Sequence, residues 1–408
     1  MTTVAQRIIE IQASIDEEMA ALLEYVTANP EVAGQERLTV AAMQERLSAH
    51  GFNTTPNFLG HESGFLAERR NGEGGKIVFL AKYDALAGFD QGKDAHGCGH
   101  NWVGTLAVAA AIVVSKLSDL FQGTVAVVGA PTETFFGDPV AIRDAEYFAD
   151  ADAVFHSHLN DRNLLYSFPL PINTLELVFR GKSSQAFSYP ENGINAVDAA
   201  VETINRIREL KSTAQDFDRI NYVIHEGGRS TEAIPDRCVL RVAIGGTDQG
   251  RTETLTAQVT QLAADAAQIL DAKLEPRVVN RFPGLVNLRG MHELVQESFQ
   301  TFDEDYLIFP EKVGRTALDV ASISQICPMI YMFFGVPNWI SHQPTLERIE
   351  SSHSDAAKAR LRTATAIFAD AGLQILLDAT LRAGLHEEWR QEKSLMDTTN
   401  GFSIERFA

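Results

Sequence analysis

The chain has 408 residues, 45% apolar and 22% charged, and 54 Asp and Glu against 35 Lys and Arg leave a net charge of −19. This composition excludes a disordered chain and is rich enough for a sizeable core, and the length suggests two or three domains. The acid excess argues against nucleic acid or an anionic membrane surface as a partner, since both call for a cationic face. Three cysteines, Cys98, Cys238 and Cys327, are too few and too odd in number for a disulfide framework and fit a reducing compartment. Residues 1–20 lack a cationic stretch followed by an apolar block, so no secretory signal is expected. The longest apolar run, 106–114, is about half of what a bilayer requires. A soluble, cytoplasmic protein with no membrane partner is expected.

Residues 4–27 carry apolar positions at helical spacing, closed by Asn29-Pro30. The runs 76–80 (KIVFL) and 124–129 (TVAVVG) read as short buried strands flanking a small-residue helix over 104–116, and 151–155 (ADAVF) adds another strand. Strands alternating with helices predict an α/β sheet with helices on both faces. From about 171 the pattern changes. Strand 174–180, helix 195–210, strands 221–226 and 238–244, helix 252–272 and strand 276–280 follow in the order βαββαβ, the ferredoxin-like unit. The expected division is a catalytic α/β domain with a hydrolase-like mixed sheet (1–170 plus 287–408) and an inserted ferredoxin-like lid (171–286). One last helix is expected near 354–383.

The densest cluster of chemistry is Asp94-Ala95-His96-Gly97-Cys98-Gly99-His100-Asn101, after the segment Ala81-Lys82-Tyr83-Asp84-Ala85-Leu86. Cys98 and His100, two apart on a glycine-rich loop between strand and helix, can face one point, and thiolate and imidazole suit Zn²⁺ and its neighbours. Alone this pair is weak evidence, because a buried cysteine is more often a core residue than a ligand. Three further clusters add to it. Phe155-His156-Ser157-His158 follows a predicted strand, where α/β folds place ligands. Ile340-Ser341-His342-Gln343-Pro344 precedes the last helix. Pro131-Thr132-Glu133-Thr134 puts an acid after an apolar strand. Cys98, His100, His158 and His342 could supply up to four metal ligands and leave Glu133 to handle protons.

These motifs, in this order, resemble the metal-dependent amidohydrolases and peptidases that include aminoacylase, indole-3-acetyl-amino-acid hydrolases and aminobenzoyl-glutamate hydrolase. The likeness runs over nearly the whole chain, through Gly181-Lys182-Ser183-Ser184, Gly193-Ile194-Asn195-Ala196, Gly227-Gly228, Ile234-Pro235-Asp236 and His342-Gln343-Pro344. It implies a catalytic domain with an inserted lid, and a homodimer or larger homo-oligomer formed through that lid. It implies metal ligation by Cys98, His100, His158 and His342, a general-base role for Glu133, and a supporting acid in Asp84. His96 is expected to support the site or simply to pack beside it, and the same holds for His156.

Two departures bear on the chemistry the resemblance implies. Where the family carries two consecutive glutamates, this chain reads Glu133-Thr134. A neutral hydroxyl is a poor replacement for a carboxylate on a cation, so one metal per site is expected, with two not excluded. The metal is Mn or Zn by expectation, with Co or Fe also compatible. Where the lid motif of the family ends in a histidine for the oxyanion, this chain has Gln185, which donates an amide N–H but carries no charge. Phe135 and Phe136 follow the base, where they would either narrow the pocket toward a flat aromatic substrate or pack beneath the loop.

The leading expectation is a small-molecule C–N hydrolase acting on an N-acyl or aroyl amino-acid amide. One alternative is hydrolytic deamination of an activated aromatic amine of the nitroanthranilate kind, in which charge spreads into the ring and an oxyanion histidine is dispensable. The other is a non-catalytic binding relative, which retention of Glu133 disfavours. No GxSxG, P-loop or GxGxxG is present.

Overall fold

The computed structural model describes residues 2–130, 145–215, 218–309, 318–339 and 346–398. In chain order these form α1 (Val4–Ala28), α2 (Arg37–Ala49), β1 (Asn53–Pro56), β2 (Phe65–Asn71), β3 (Gly75–Ala81), β4 (Leu86–Asp90), β5 (Lys93–Ala95), α3 (His100–Ser115), β6 (Gly123–Gly129) and β7 (Ala153–Asn160). The segment from β8 (Ile172–Arg180) through α4 (Ala196–Ser212), β9 (Arg219–Glu226), β10 (Arg237–Gly245), α5 (Gln249–Ile269) and β11 (Lys273–Phe282) comes next. The chain then runs through α6 (Arg289–Thr301), α7 (Ala321–Ser324), β12 (Met329–Gly335), α8 (Leu346–His353), α9 (Asp355–Leu377) and α10 (Ala379–Thr398).

A six-stranded mixed sheet in the order β1-β2-β6-β3-β7-β12 forms the first unit. β3 runs parallel to β6 and β7, and β7 parallel to β12, while β2 lies antiparallel to β1 and β6. The central strands read as unbroken apolar runs because both faces are covered. Ile77, Phe79, Val125, Val127 and Phe155 join the large core beneath α1, α3 and α9, and Val78, Leu80, Ala126, Val128 and Val154 line the second core. All sixteen residues of α3 are buried, as befits a helix that is apolar all round and enclosed on every side.

Three details differ from the sequence expectation. Among the described residues the long helices gather on one face. The other face is covered by a 3-10 turn at Ala145–Phe148 and the four-residue α7, where Leu318, Val320, Ile323 and Cys327 supply the apolar surface without a long helix. The helix expected over 104–116 begins earlier, at His100, because Gly99 can take the left-handed turn that starts it. The single helix expected near 354–383 is two, α9 and α10, bent by 100°. There Asp378 Oδ1 accepts from the Thr380 and Leu381 backbone N–H groups and caps the second helix.

The βαββαβ segment forms a separate four-stranded antiparallel sheet, in the order β11-β8-β10-β9. Alternate residues Leu175, Leu177 and Phe179 of β8 meet Leu240 and Val242 of β10 under α4 and α5. Asn195 and Asp248 cap these two helices by accepting from the backbone N–H of Val197 and Arg251. β9 is an edge strand with Val223 and Ile224 exposed. No single described helix is long and apolar enough to cross a membrane.

Candidate metal centre

The site residues gather at the carboxyl ends of the parallel strands, the edge where open α/β sheets present ligands. β3 ends at Ala81 and leads into Lys82 and Asp84, while the Ala130 N–H beyond β6 donates to Ala81 O at 2.9 Å. β7 does not stop at Phe155 as expected. It runs on to Asn160 in register with β12, pairing His156 with Tyr331 and His158 with Phe333. His158 is therefore a strand residue, held by backbone pairing to apolar β12. The polar HSH sequence conceals this.

The HGCGH loop bends because it carries no bulk at two points. A Cβ on Gly97 would lie 2.6 Å from the Phe89 ring. Gly99 has φ +75°, and a Cβ there would meet Trp339 at 2.8 Å and Leu159 at 2.9 Å, so only glycine fits on both counts. Clamped from both sides, the loop delivers half-buried Cys98 and then His100, the first residue of α3.

His100 Nδ1 lies 2.9 Å from Asp84 Oδ1, with both side chains buried. Burial alone would raise the Asp84 carboxyl, but the facing His100 and then Lys82 hold it well below the usual carboxylate range. An ionised carboxylate only accepts, so His100 Nδ1–H donates and Nε2 is the nitrogen left for a ligand, the arrangement typical of metal-bound histidine. His158 Nδ1 donates to Leu159 O at 3.0 Å. Burial, and next the neighbouring His100, push its imidazolium down to about 3, so it is neutral with Nε2 as a base. The two rings meet edge to face, with centroids 5.4 Å apart.

The other histidines of the cluster brace it. His96 Nε2 bonds to Val26 O of α1 at 3.1 Å, and burial pushes its imidazolium down to about 4. His156 Nδ1 bonds to Leu80 O at 3.2 Å, and its ring stacks on Tyr331. Asn101 ties the start of α3 to Thr27 at 2.7 Å and to Ser352 at 3.0 Å.

Of the expected site residues, the structure brings together Asp84, His100 and His158, with Cys98 on the same loop. Glu133, Thr134, Phe135, Phe136 and His342 lie outside the described residues. Gln185 is exposed in the second sheet's unit, where it bridges to Ala233. Among the described residues no three His, Cys, Asp or Glu side chains by themselves form a group able to hold an ion. The donor set nevertheless suits a divalent transition metal, since it offers a histidine with its Nδ1 committed to a carboxylate, a neutral histidine and a thiol.

Three features had no sequence signal. Lys82 and Asp319 form an ion pair at 2.8 Å with side chains only 4% and 5% exposed. Trp339 roofs the loop. Glu36 is fully buried, beside the Ser63 hydroxyl.

Two predictions arise here. Asp84→Asn, which removes the charge but not the bulk, is expected to weaken metal affinity roughly 10- to 100-fold, read by chelator competition. An unchanged affinity would show that Asp84 does not support a ligand. Burial, with Asp84's charge adding to it, lifts the Glu36 carboxyl from 4.5 to about 7. The folded state then holds a proton that the unfolded state has released, so stability falls as pH rises between these values, by about 3 kcal/mol. Glu36→Gln should be nearly neutral at pH 4.5 and stabilising at pH 8 in denaturant unfolding. An equal effect at both pH values would contradict this.

Residues 172–271 match the family model described as the peptidase dimerisation domain, M20_dimer. The Xaa-Arg dipeptidase of Mus musculus is 26% identical over 337 residues, which is 79% of this chain and 76% of that protein. A p-aminobenzoyl-glutamate hydrolase polypeptide of Escherichia coli (strain K12) is 27% identical over 316 residues, 71% and 64% of the two chains. Among solved structures, a dinuclear metal-binding peptidase of the M20 family from Bacillus subtilis superimposes with a TM-score of 0.65 at 17% identity, covering 89% of this chain and 99% of its own. The aminobenzoyl-glutamate utilization protein from Klebsiella pneumoniae gives 0.68 at 15% identity, covering 90% and 97%. A mixed α/β unit bearing a histidine pair, with a second unit that matches the dimerisation domain, bears out the resemblance read from the motifs: residues 172–271 carry the M20 peptidase dimerisation domain, and over most of its length the chain is similar to peptidases and amidohydrolases and, like them, is an enzyme.

Proposed function

We propose that this enzyme cleaves the amide bond of an N-acyl or aroyl amino acid, at a site holding one divalent transition metal through Cys98, His100, His158 and His342. Mn and Zn suit these ligands, as do Co and Fe. The observation that carries this reading is the buried Asp84–His100–His158 array, with each imidazole leaving Nε2 as its open nitrogen. The names of the relatives, a dipeptidase and an aroyl-glutamate hydrolase, support an amide as the bond.

When bound, the metal supplies Lewis acidity toward the carbonyl and acidifies water. Asp84 fixes the His100 ring and its tautomer. Glu133 takes a proton from the attacking water and hands it to the departing nitrogen. Gln185 offers a neutral amide N–H toward the polar part of the substrate, and the sequence Phe135-Phe136 favours a flat apolar or aromatic acyl group. Thr134, lacking a carboxylate, is the reason for one metal where the Bacillus subtilis protein is dinuclear. Residues 1–170 and 287–408 form the catalytic body and 171–286 the lid, which pairs two copies. The exposed apolar side chains on edge strand β9 support that pairing.

The test is a screen of the metal-reconstituted enzyme against N-acyl and N-aroyl amino acids alongside nitro-substituted anilines. Release of free amino acid from the amides is the expected result. Release of ammonia from an aniline, with every amide left intact, would overturn the proposal.

A further inference from the structure

The amide reading leaves one requirement unmet. The amino-acid half of such a substrate carries a carboxylate, the protein carries a net charge of −19, and the lid position Gln185 is neutral. A local cation is needed to seat that anion. At the strand edge Lys82 is closed inside its buried pair with Asp319, beyond the reach of a ligand.

Arg348, on α8, is placed differently. Its side chain is half-buried, and its guanidinium carbon sits 4.9 Å from the centre of the Trp339 ring. The same ring lies 6.4 Å from His158, edge to face, and covers the loop at Gly99. Trp339 itself is 2% exposed, so one fixed indole spans from the guanidinium to the wall of the metal centre. The charge of Arg348 reaches both His158 and Cys98. Stacking on an aromatic face holds the guanidinium plane in a set orientation, and its fork of five N–H donors matches a carboxylate while still serving a neighbour.

We propose that Arg348, stacked on Trp339 beside the metal centre, binds the carboxylate of the substrate and thereby selects amides that carry one. This rests on the amide reading above. It also gives the site a specificity element on the catalytic body that is distinct from the lid.

The probe is 4-oxo-4-phenylbutanoate, an N-benzoylglycine analogue in which a methylene replaces the amide nitrogen so that nothing is cleaved, together with its neutral carboxamide. Both are titrated calorimetrically into full-length, metal-loaded wild type, Arg348→Met, Arg348→Lys and Arg348→Gln, with metal content measured in each. The carboxylate should bind about tenfold or more weakly to the Met and Gln variants, with part of the loss recovered by Lys, in keeping with a charge-assisted hydrogen bond. Carboxamide binding and metal content should stay within about twofold of wild type, against that tenfold loss.

Equal carboxylate binding in all four proteins overturns the proposal. So does a wild type that prefers the carboxamide, or a loss that tracks carboxamide binding or metal content, since each of these marks a packing role for Arg348. For whichever N-acyl amino acid is hydrolysed, the same variants should raise KM with kcat nearly unchanged. If no amide is hydrolysed, the amide reading fails on that result alone. The calorimetric comparison, which involves no turnover, still decides the role of Arg348.

Discussion

Glu133→Gln is expected to lower turnover by roughly 10²- to 10⁴-fold, the usual worth of a positioned general base, while leaving metal content unchanged. The change keeps the shape of the side chain and removes only its ability to take a proton. Glu133 lies outside the described residues, but the strand that leads to it does not. β6 ends beside β3 with Ala81 opposite Gly129, at the edge that carries Asp84 and His158. Measured kcat and bound metal together decide the matter. Full activity in the variant would remove Glu133 from the chemistry, and loss of metal along with activity would make it a ligand instead of the base.

The second large effect is on stability. Asp319→Ala should destabilise the protein by about 3–5 kcal/mol, because it removes the ion-pair partner of the buried Lys82 ammonium. Replacing the pair together, as Lys82→Met with Asp319→Val, should recover most of that loss, since two apolar side chains of roughly similar volume involve no charge desolvation. Denaturant midpoints of the single and double variants against wild type provide the measurement. A single variant as stable as the wild type would mean that water or a nearby group already compensates Lys82. Because the charge of Lys82 also helps hold Asp84 ionised, the double variant should keep its fold yet bind metal more weakly.

Sequence legibility followed the range of the interactions. The βαββαβ unit could be read because its strands alternate and its helices are amphipathic, both local periodicities. Cys98 and His100 could be read because glycines on either side mark a loop that must bend. His158 reads as a ligand candidate beyond the end of its strand, because the pairing that keeps HSH extended comes from β12, far along the chain. The bend between α9 and α10 carries no proline or glycine, and Asp378 makes it through a cap that only the folded backbone reveals. Lys82 and Asp319 stand 237 residues apart, and Trp339 and Arg348 belong to no motif. These pairs are products of tertiary packing, so composition and spacing are silent about them.

In the proposed site Cys98, His100 and His158, together with His342, hold one catalytic metal, and Asp84 orients the His100 ring. Anomalous diffraction from crystals of the metal-loaded enzyme tests this arrangement most directly. A single strong peak is expected about 2.0–2.3 Å from His100 Nε2, His158 Nε2 and Cys98 Sγ. A metal bound elsewhere with these three side chains unliganded would contradict it.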